Sequence, residues 1–178
     1  MESKEIIDKF EKNIDREHYV VSGQMDIVSN EEIYHYDVVV KHLNDDYYRA
    51  SLVNKDTNYE QIILKNKDGV YVITPSLNKS FKYQSDWPFN SSQSYILESL
   101  LNDLKNDSNV LLEESDGEYI LKSTVNYPNN STLYSEKIYL DKDYGVNKVE
   151  VLDQDGNVKI TLSISSVNYK PSFDKEYF

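Results

Sequence analysis

The sequence predicts an α+β protein in which one large, curved antiparallel sheet of about ten strands is covered by an N-terminal helix and one mid-chain helix. Three observations point there. Val, Ile, Tyr, Phe, Trp and Thr are abundant while Ala occurs once, at Ala50, a composition suited to pleated sheet rather than helix. Apolar and polar residues alternate with period two through most of the chain, as half-buried strands require. The alternating runs recur about every 8–12 residues between turn residues, which is the pattern of a meander.

The chain opens on Ile6, Ile7, Phe10 and Ile14 at helical spacing behind Ser3, a candidate N-cap, so residues 4–16 read as an amphipathic helix. In residues 19–28, Tyr19, Val21, Met25 and Ile27 face one way while Ser22, Gln24 and Asp26 face the other. Residues 33–43 repeat the alternation with Tyr34, Tyr36, Val38 and Val40. Residues 47–53 follow the turn Asn44-Asp45-Asp46. Residues 59–64 and 70–74 flank Asn66-Lys67-Asp68-Gly69, whose Asp-Gly pair is a strong hairpin signal. Residues 79–84 follow Pro75-Ser76-Leu77-Asn78 in the same way. The pattern then changes period: Ile96, Leu97, Leu100, Leu101 and Leu104 form a helical stripe in residues 90–105, behind an Asn90/Gln93 capping box. Four strands, residues 118–125, 133–140, 147–152 and 157–168, close the chain. The last places Val158, Ile160, Leu162 and Ile164 against Lys159, Thr161, Ser163 and Ser165.

Charge and composition exclude several functions. The 178 residues carry 19 Lys+Arg against 31 Asp+Glu, a formal charge of −12, which is the wrong sign for a nucleic-acid footprint. With no Cys, disulfides, thiol catalysis and cysteine-based metal sites are out of reach. No 18-residue apolar run occurs, and residues 1–10 read as neither a signal peptide nor a membrane span. A chain of this length buries about 70% of its unfolded surface as one domain, residues 1–178.

The search for chemistry returns no catalytic set. His35 and His42, seven apart, lie on opposite strand faces, and His18 starts a strand, so the three histidines read as structural. Asp141-Lys142-Asp143-Tyr144-Gly145 and Asp153-Gln154-Asp155-Gly156 resemble calcium loops but lack the twelve-residue ligand pattern and flanking helices, so they read as hairpin turns. No P-loop, dinucleotide fingerprint or nucleophile elbow is present. Asn-x-Ser/Thr matches at Asn90, Asn106, Asn129 and Asn130 are chance hits in an Asn-rich chain. Rigid aromatic surface remains: Tyr47, Tyr48, Arg49, Tyr83, Trp87 and Phe89 are the candidate partner-binding residues, with Phe173, Tyr177 and Phe178 near the end. The expected class is a non-enzymatic binding protein with no catalytic residue, metal or cofactor.

The order of segments resembles the lipoprotein-carrier-like (LolA-like) family. The resemblance is carried by residues 36–53, by 59–74 running into KNKDGVYVITPSLNKSFKYQSDWP, and by the ending YLDKDYGVNKVEVLDQDGNVKITLSISSVNYKPSFDKEYF. It spans residues 18–178 and rests on patterns rather than invariant residues. The Asn/Lys/Tyr-rich flavour is similar to the Firmicute branch of spore and envelope lipoproteins. That resemblance implies an unclosed half-barrel and an exported, lipid-anchored precursor acting in the forespore intermembrane space, with the anchoring segment outside this sequence. It also implies a partner, a zinc-dependent N-acetylmuramoyl-L-alanine amidase whose activation supports cortex modification to muramic-δ-lactam and so germination. The runner-up function is lipid or lipoprotein carriage, with Arg49 the candidate for the carriers' early-strand arginine; a peptidoglycan hydrolase ranks last. Exposed sheet edges lead to the further expectation of a homodimer formed by edge pairing or strand exchange.

Overall fold

A computed structural model describes residues 2–14, 17–44, 47–83, 94–125, 132–169, 171 and 178. Helix α1 (Ser3–Asn13) is followed by β1 (His18–Ser29), β2 (Glu32–Leu43), β3 (Tyr47–Asn54), β4 (Glu60–Asn66), β5 (Gly69–Thr74) and β6 (Lys79–Tyr83). After α2 (Leu97–Lys105) come β7 (Leu111–Ser115), β8 (Glu118–Thr124), β9 (Leu133–Leu140), β10 (Val146–Asp153) and β11 (Val158–Asn168). All strand pairs are antiparallel. They form one 11-stranded open sheet in the order β6-β5-β4-β3-β2-β1-β11-β10-β9-β8-β7. This is the predicted α+β half-barrel, with one strand more than expected.

The alternation decides which side is buried. Tyr19, Val21 and Met25 of β1, Val38 and Val40 of β2 and Ala50 and Leu52 of β3 point to one face. On that face Ile6 and Phe10 of α1 and Leu97, Leu100, Leu101 and Leu104 of α2 complete a single apolar cluster. Burying each such side chain contributes about 1.5–3 kcal/mol.

The helix ends differ from the sequence reading. Helix α1 begins one residue earlier and ends at Asn13, because Ile14 turns into extended backbone; the residue before its first turn is Glu2 rather than Ser3. The Asn90/Gln93 cap lies outside the described residues, and α2 starts at Leu97 with extended Ile96 as its N-cap. The added strand, β7, has the sequence Leu-Leu-Glu-Glu-Ser, which does not alternate, so pairing with β8 rather than local pattern makes it a strand.

The two acidic turns are hairpin connections. Asp141 Oδ1 accepts from the backbone N–H groups of Asp143 and Gly145, at 2.8 and 3.1 Å. Asp153 Oδ1 does the same for Asp155 and Asn157, at 3.0 and 2.9 Å, and the Asn157 N–H foremost holds the Asp153 carboxyl below its ordinary value. Tyr144 sits in the first turn at φ +68°, an uncommon region for a bulky residue. Its ring stacks on Tyr119 at 5.3 Å and its hydroxyl accepts from Lys9 Nζ at 3.1 Å. Together with the bond from Asn13 Nδ2 to the Asp143 carbonyl, at 3.1 Å, this fastens α1 to the β9–β10 turn.

The first and last strands meet at a bulge. Ser22 opposes Ser166 but Gly23 opposes Ile164, which leaves Ser165 as the extra residue. The bulge reverses the parity of β11, so Ile160, Leu162 and Ile164 before it and Val167 after it all pack on the core, which the uniform alternation read from sequence did not include. A Cβ at Gly23 would collide with the Ser163 carbonyl oxygen and lie 3.2 Å from Ile164 Cα. Gly23→Ala is therefore expected to destabilise the fold by about 1–3 kcal/mol, read as a lower urea midpoint with unchanged m-value.

Candidate partner-binding site

The residues named from sequence separate along β3. Tyr47 and Arg49 are half-buried and alternate with core residues, so they lie on the face away from the helices. The Tyr47 ring is tilted against Phe178 at 5.6 Å, and the Phe178 carbonyl accepts from Asn66 Nδ2 on β4 at 3.1 Å. Tyr48, expected at a partner surface, is instead part of the core, with 8% of its surface exposed. Tyr83 ends the edge strand β6. Trp87, Phe89, Phe173 and Tyr177 lie outside the described residues.

Tyr48 has the core-facing parity of Ala50 and Leu52, and there it joins a polar cluster that sequence reasoning missed. Its ring stacks on His42 at 4.2 Å, and the His42 ring is 4.9 Å from that of Tyr19. His42 is 1% exposed. Its Nδ1 lies 3.0 Å from the Tyr47 carbonyl oxygen; a carbonyl only accepts, so that nitrogen carries the proton. Its Nε2 is 3.7 Å from Glu98 Oε1 on α2. Tyr19 donates to Glu98 Oε2 at 2.7 Å and accepts from the Leu97 backbone N–H at 3.3 Å. The opening N–H of α2, which has no side-chain cap, is thus satisfied by a tyrosine from β1. Burial foremost, then the charge of Glu98, holds the Tyr19 phenol protonated well above its ordinary range. The sequence signal available was Glu98, an acidic residue beside the leucine stripe in the first turn of α2.

A second polar cluster holds the other half of α2. Glu136 of β9 is 0% exposed and shares a hydrogen bond with Asp103 of α2. Ser123, opposite Glu136 on β8, donates to Asp107 Oδ2 at 3.0 Å, and Asp107 also accepts from the Thr124 and Asn109 backbone N–H groups. Those N–H groups, Asn109 first, keep the Asp107 carboxyl below its ordinary value. Burial raises that of Asp103. Both clusters position a helix, and among the described residues no three His, Asp or Glu side chains are grouped as metal ligands.

On the opposite face a groove of about 460 Å3 crosses β2, β1 and β11 over Gly23, between Ser22, Gln24, Asp37, Ser163 and Ser165.

With the geometry in place, comparison with known proteins supplies relatives. The sporulation protein YdcC of Bacillus subtilis strain 168 is 38% identical over 161 residues, which are 90% of this chain and 48% of YdcC. This chain therefore spans about half the length of that relative. A solved structure of the CwlD amidase from Clostridioides difficile in complex with the GerS lipoprotein contains a chain that superposes with TM-score 0.55 at 19% identity, over 96% of this chain and 97% of that one. A domain described as an outer membrane lipoprotein-sorting protein from Vibrio parahaemolyticus gives 0.52 at 15% identity, over 97% and 94%. The LolA-like resemblance read from segment order thus holds at the level of fold. No protein-family model matches the chain.

Two outcomes test the clusters. Tyr19→Phe deletes the donor to Glu98 and the acceptor of the Leu97 N–H, and is expected to lower the unfolding free energy by about 1–3 kcal/mol in denaturant titration. Asp103 has a folded-state value above its ordinary 3.8, so between the two values the folded state binds more protons and stability falls as pH rises. Asp103→Asn is therefore expected to raise the thermal midpoint at neutral pH, and that gain is expected to fade as the pH drops towards the ordinary carboxylate value.

Proposed function

We propose that this chain is a LolA-like module of an extracytoplasmic, lipid-anchored sporulation protein. It acts by binding an N-acetylmuramoyl-L-alanine amidase rather than by breaking bonds itself. The observation that carries the reading is a conjunction: 38% identity to a sporulation protein over 90% of the chain, and a fold shared with a chain of an amidase–lipoprotein complex. The rigid, helix-backed sheet supports it, because such a scaffold presents side chains without ordering cost.

The mechanism is linkage. A protein that binds the zinc-loaded, ordered form of its partner better than the loose form must raise the partner's apparent zinc affinity by the same factor by which zinc raises its own. No catalytic group is needed on the binding side. Downstream, the amidase product would feed cortex modification and germination. Carriage of an acyl chain is the weaker reading: the helix-covered side of the sheet is filled by side chains.

Tyr47 and Arg49 form the outward part of the proposed contact. The full chain is expected to copurify with the amidase from its own organism, to bind it with a micromolar or lower dissociation constant by calorimetry, and to raise its zinc content. Arg49→Glu is expected to weaken the complex about tenfold, or about 1.4 kcal/mol, without moving the chain's own thermal midpoint. Failure to form a complex at about 100 μM would overturn the proposal.

A further inference from the structure

Among the described residues the open sheet ends on two five-residue strands, β6 on one side and β7 on the other. In β6, residues 79–82 are exposed; in β7, Leu111 and residues 113–115 are exposed while Leu112 is half-buried. Edge strands expose unpaired backbone groups, and natural proteins blunt them with charge. Here each edge is blunted with a single sign. The strand β6 carries Lys79 and Lys82 and no carboxylate; β7 carries Glu113 and Glu114 and no cation. Pairing like edges therefore sets like charges together, which costs energy, whereas unlike edges attract.

The apolar residues follow the same logic. Phe81 is 59% exposed and Leu111 63% exposed, a size and placement that isolated blunting does not require. Phe81 opposes the buried Val72 of β5, so Phe81 and Lys79 are on the helix-covered side of the sheet. Leu111 opposes Lys122, the exposed neighbour of buried Leu121, so Leu111 and Glu113 are on the other side. Two copies whose helices lie on opposite sides of a continuous sheet bring these two faces together. Their edges then run antiparallel, and the register that sets Phe81 against Leu111 also sets Lys79 against Glu113. In a parallel junction with the helices on one side, Phe81 would meet β7 on the face of Leu112 and Glu114, leaving the exposed Leu111 without it.

We propose that copies of this chain associate through unlike edges, β6 of one pairing antiparallel with β7 of the next in the register Phe81 to Leu111 and Lys79 to Glu113. The contact uses different surfaces on the two copies, so it is heterologous and leaves a free edge at each end of the assembly. Five-residue strands bury little area, which places the affinity in the weak range. The repulsion of two chains at −12 each is screened beyond about 8 Å at physiological salt, while the paired charges are not. The inference is independent of the amidase reading, since it invokes neither that partner nor β3.

The test uses the full chain in sedimentation velocity and light scattering from about 10 μM to about 1 mM. The weight-average mass is expected to rise beyond twice that of one chain at the upper end. K79E/K82E makes both edges acidic and E113K/E114K makes both basic; each is expected to stay monomeric alone, and an equimolar mixture to regain association, with circular dichroism confirming that both fold. Register is read by disulfide capture in this cysteine-free chain: Phe81→Cys mixed with Leu111→Cys is expected to cross-link, and neither variant alone. A wild-type chain that stays monomeric at about 1 mM overturns the proposal. Undiminished association of either charge variant alone, or cross-linking of the Phe81→Cys variant with itself, shows a like-edge dimer and overturns it too.

Discussion

Among the described residues every strand pairing joins neighbours in sequence except one, and the whole sheet depends on that exception. The strands β1 to β6 form one meander and β7 to β11 another, and the pairing of β1 with β11 joins them into a single sheet. Closing so long a loop costs entropy before any contact repays it. The contact must therefore be close and well matched. Gly23 permits the approach, and the adjacent bulge turns Val167 back onto the core so that the long strand β11 serves both halves.

The helix α2 is the second element that crosses between the halves, and it is held by more than apolar contact. The Tyr19 hydroxyl, bonded to Glu98 and to the Leu97 N–H, binds its first turn to β1, while the Asp103–Glu136 and Asp107–Ser123 contacts bind its far end to β9 and β8. Hydrogen-bonded buried groups are directional in a way that leucine side chains are not, so they fix one helix position among several of similar apolar burial. Burying them has a cost, seen in the raised carboxyl of Asp103.

A scaffold fixed in this way suits recognition. Half-buried Glu98 belongs to α2 and buried Glu136 lies against it, while Tyr47 and Arg49 on β3 and two charged edges are among the groups that face outward. The fold itself is hospitable to unrelated roles, so the function rests on surfaces.

The sequence by itself determined the fold class, ten of the eleven strands and the leucine stripe of α2, because period-two and period-3.6 burial are local properties of a chain. It also determined that Asp141 and Asp153 sit in turns, since their side chains serve backbone groups within four residues. Only the tertiary structure decided the rest. The strand β7 has no alternation and exists through its partner β8; the parity of β11 changes at a bulge set by a strand more than a hundred residues away; Tyr48, on the same face of β3 as Ala50 and Leu52, is met there by the ring of His42 from the neighbouring strand. The N-terminus of α2 is satisfied by Tyr19 across 78 residues. Such pairings depend on which distant groups the folded chain brings within a few ångströms, and local spacing carries no record of that.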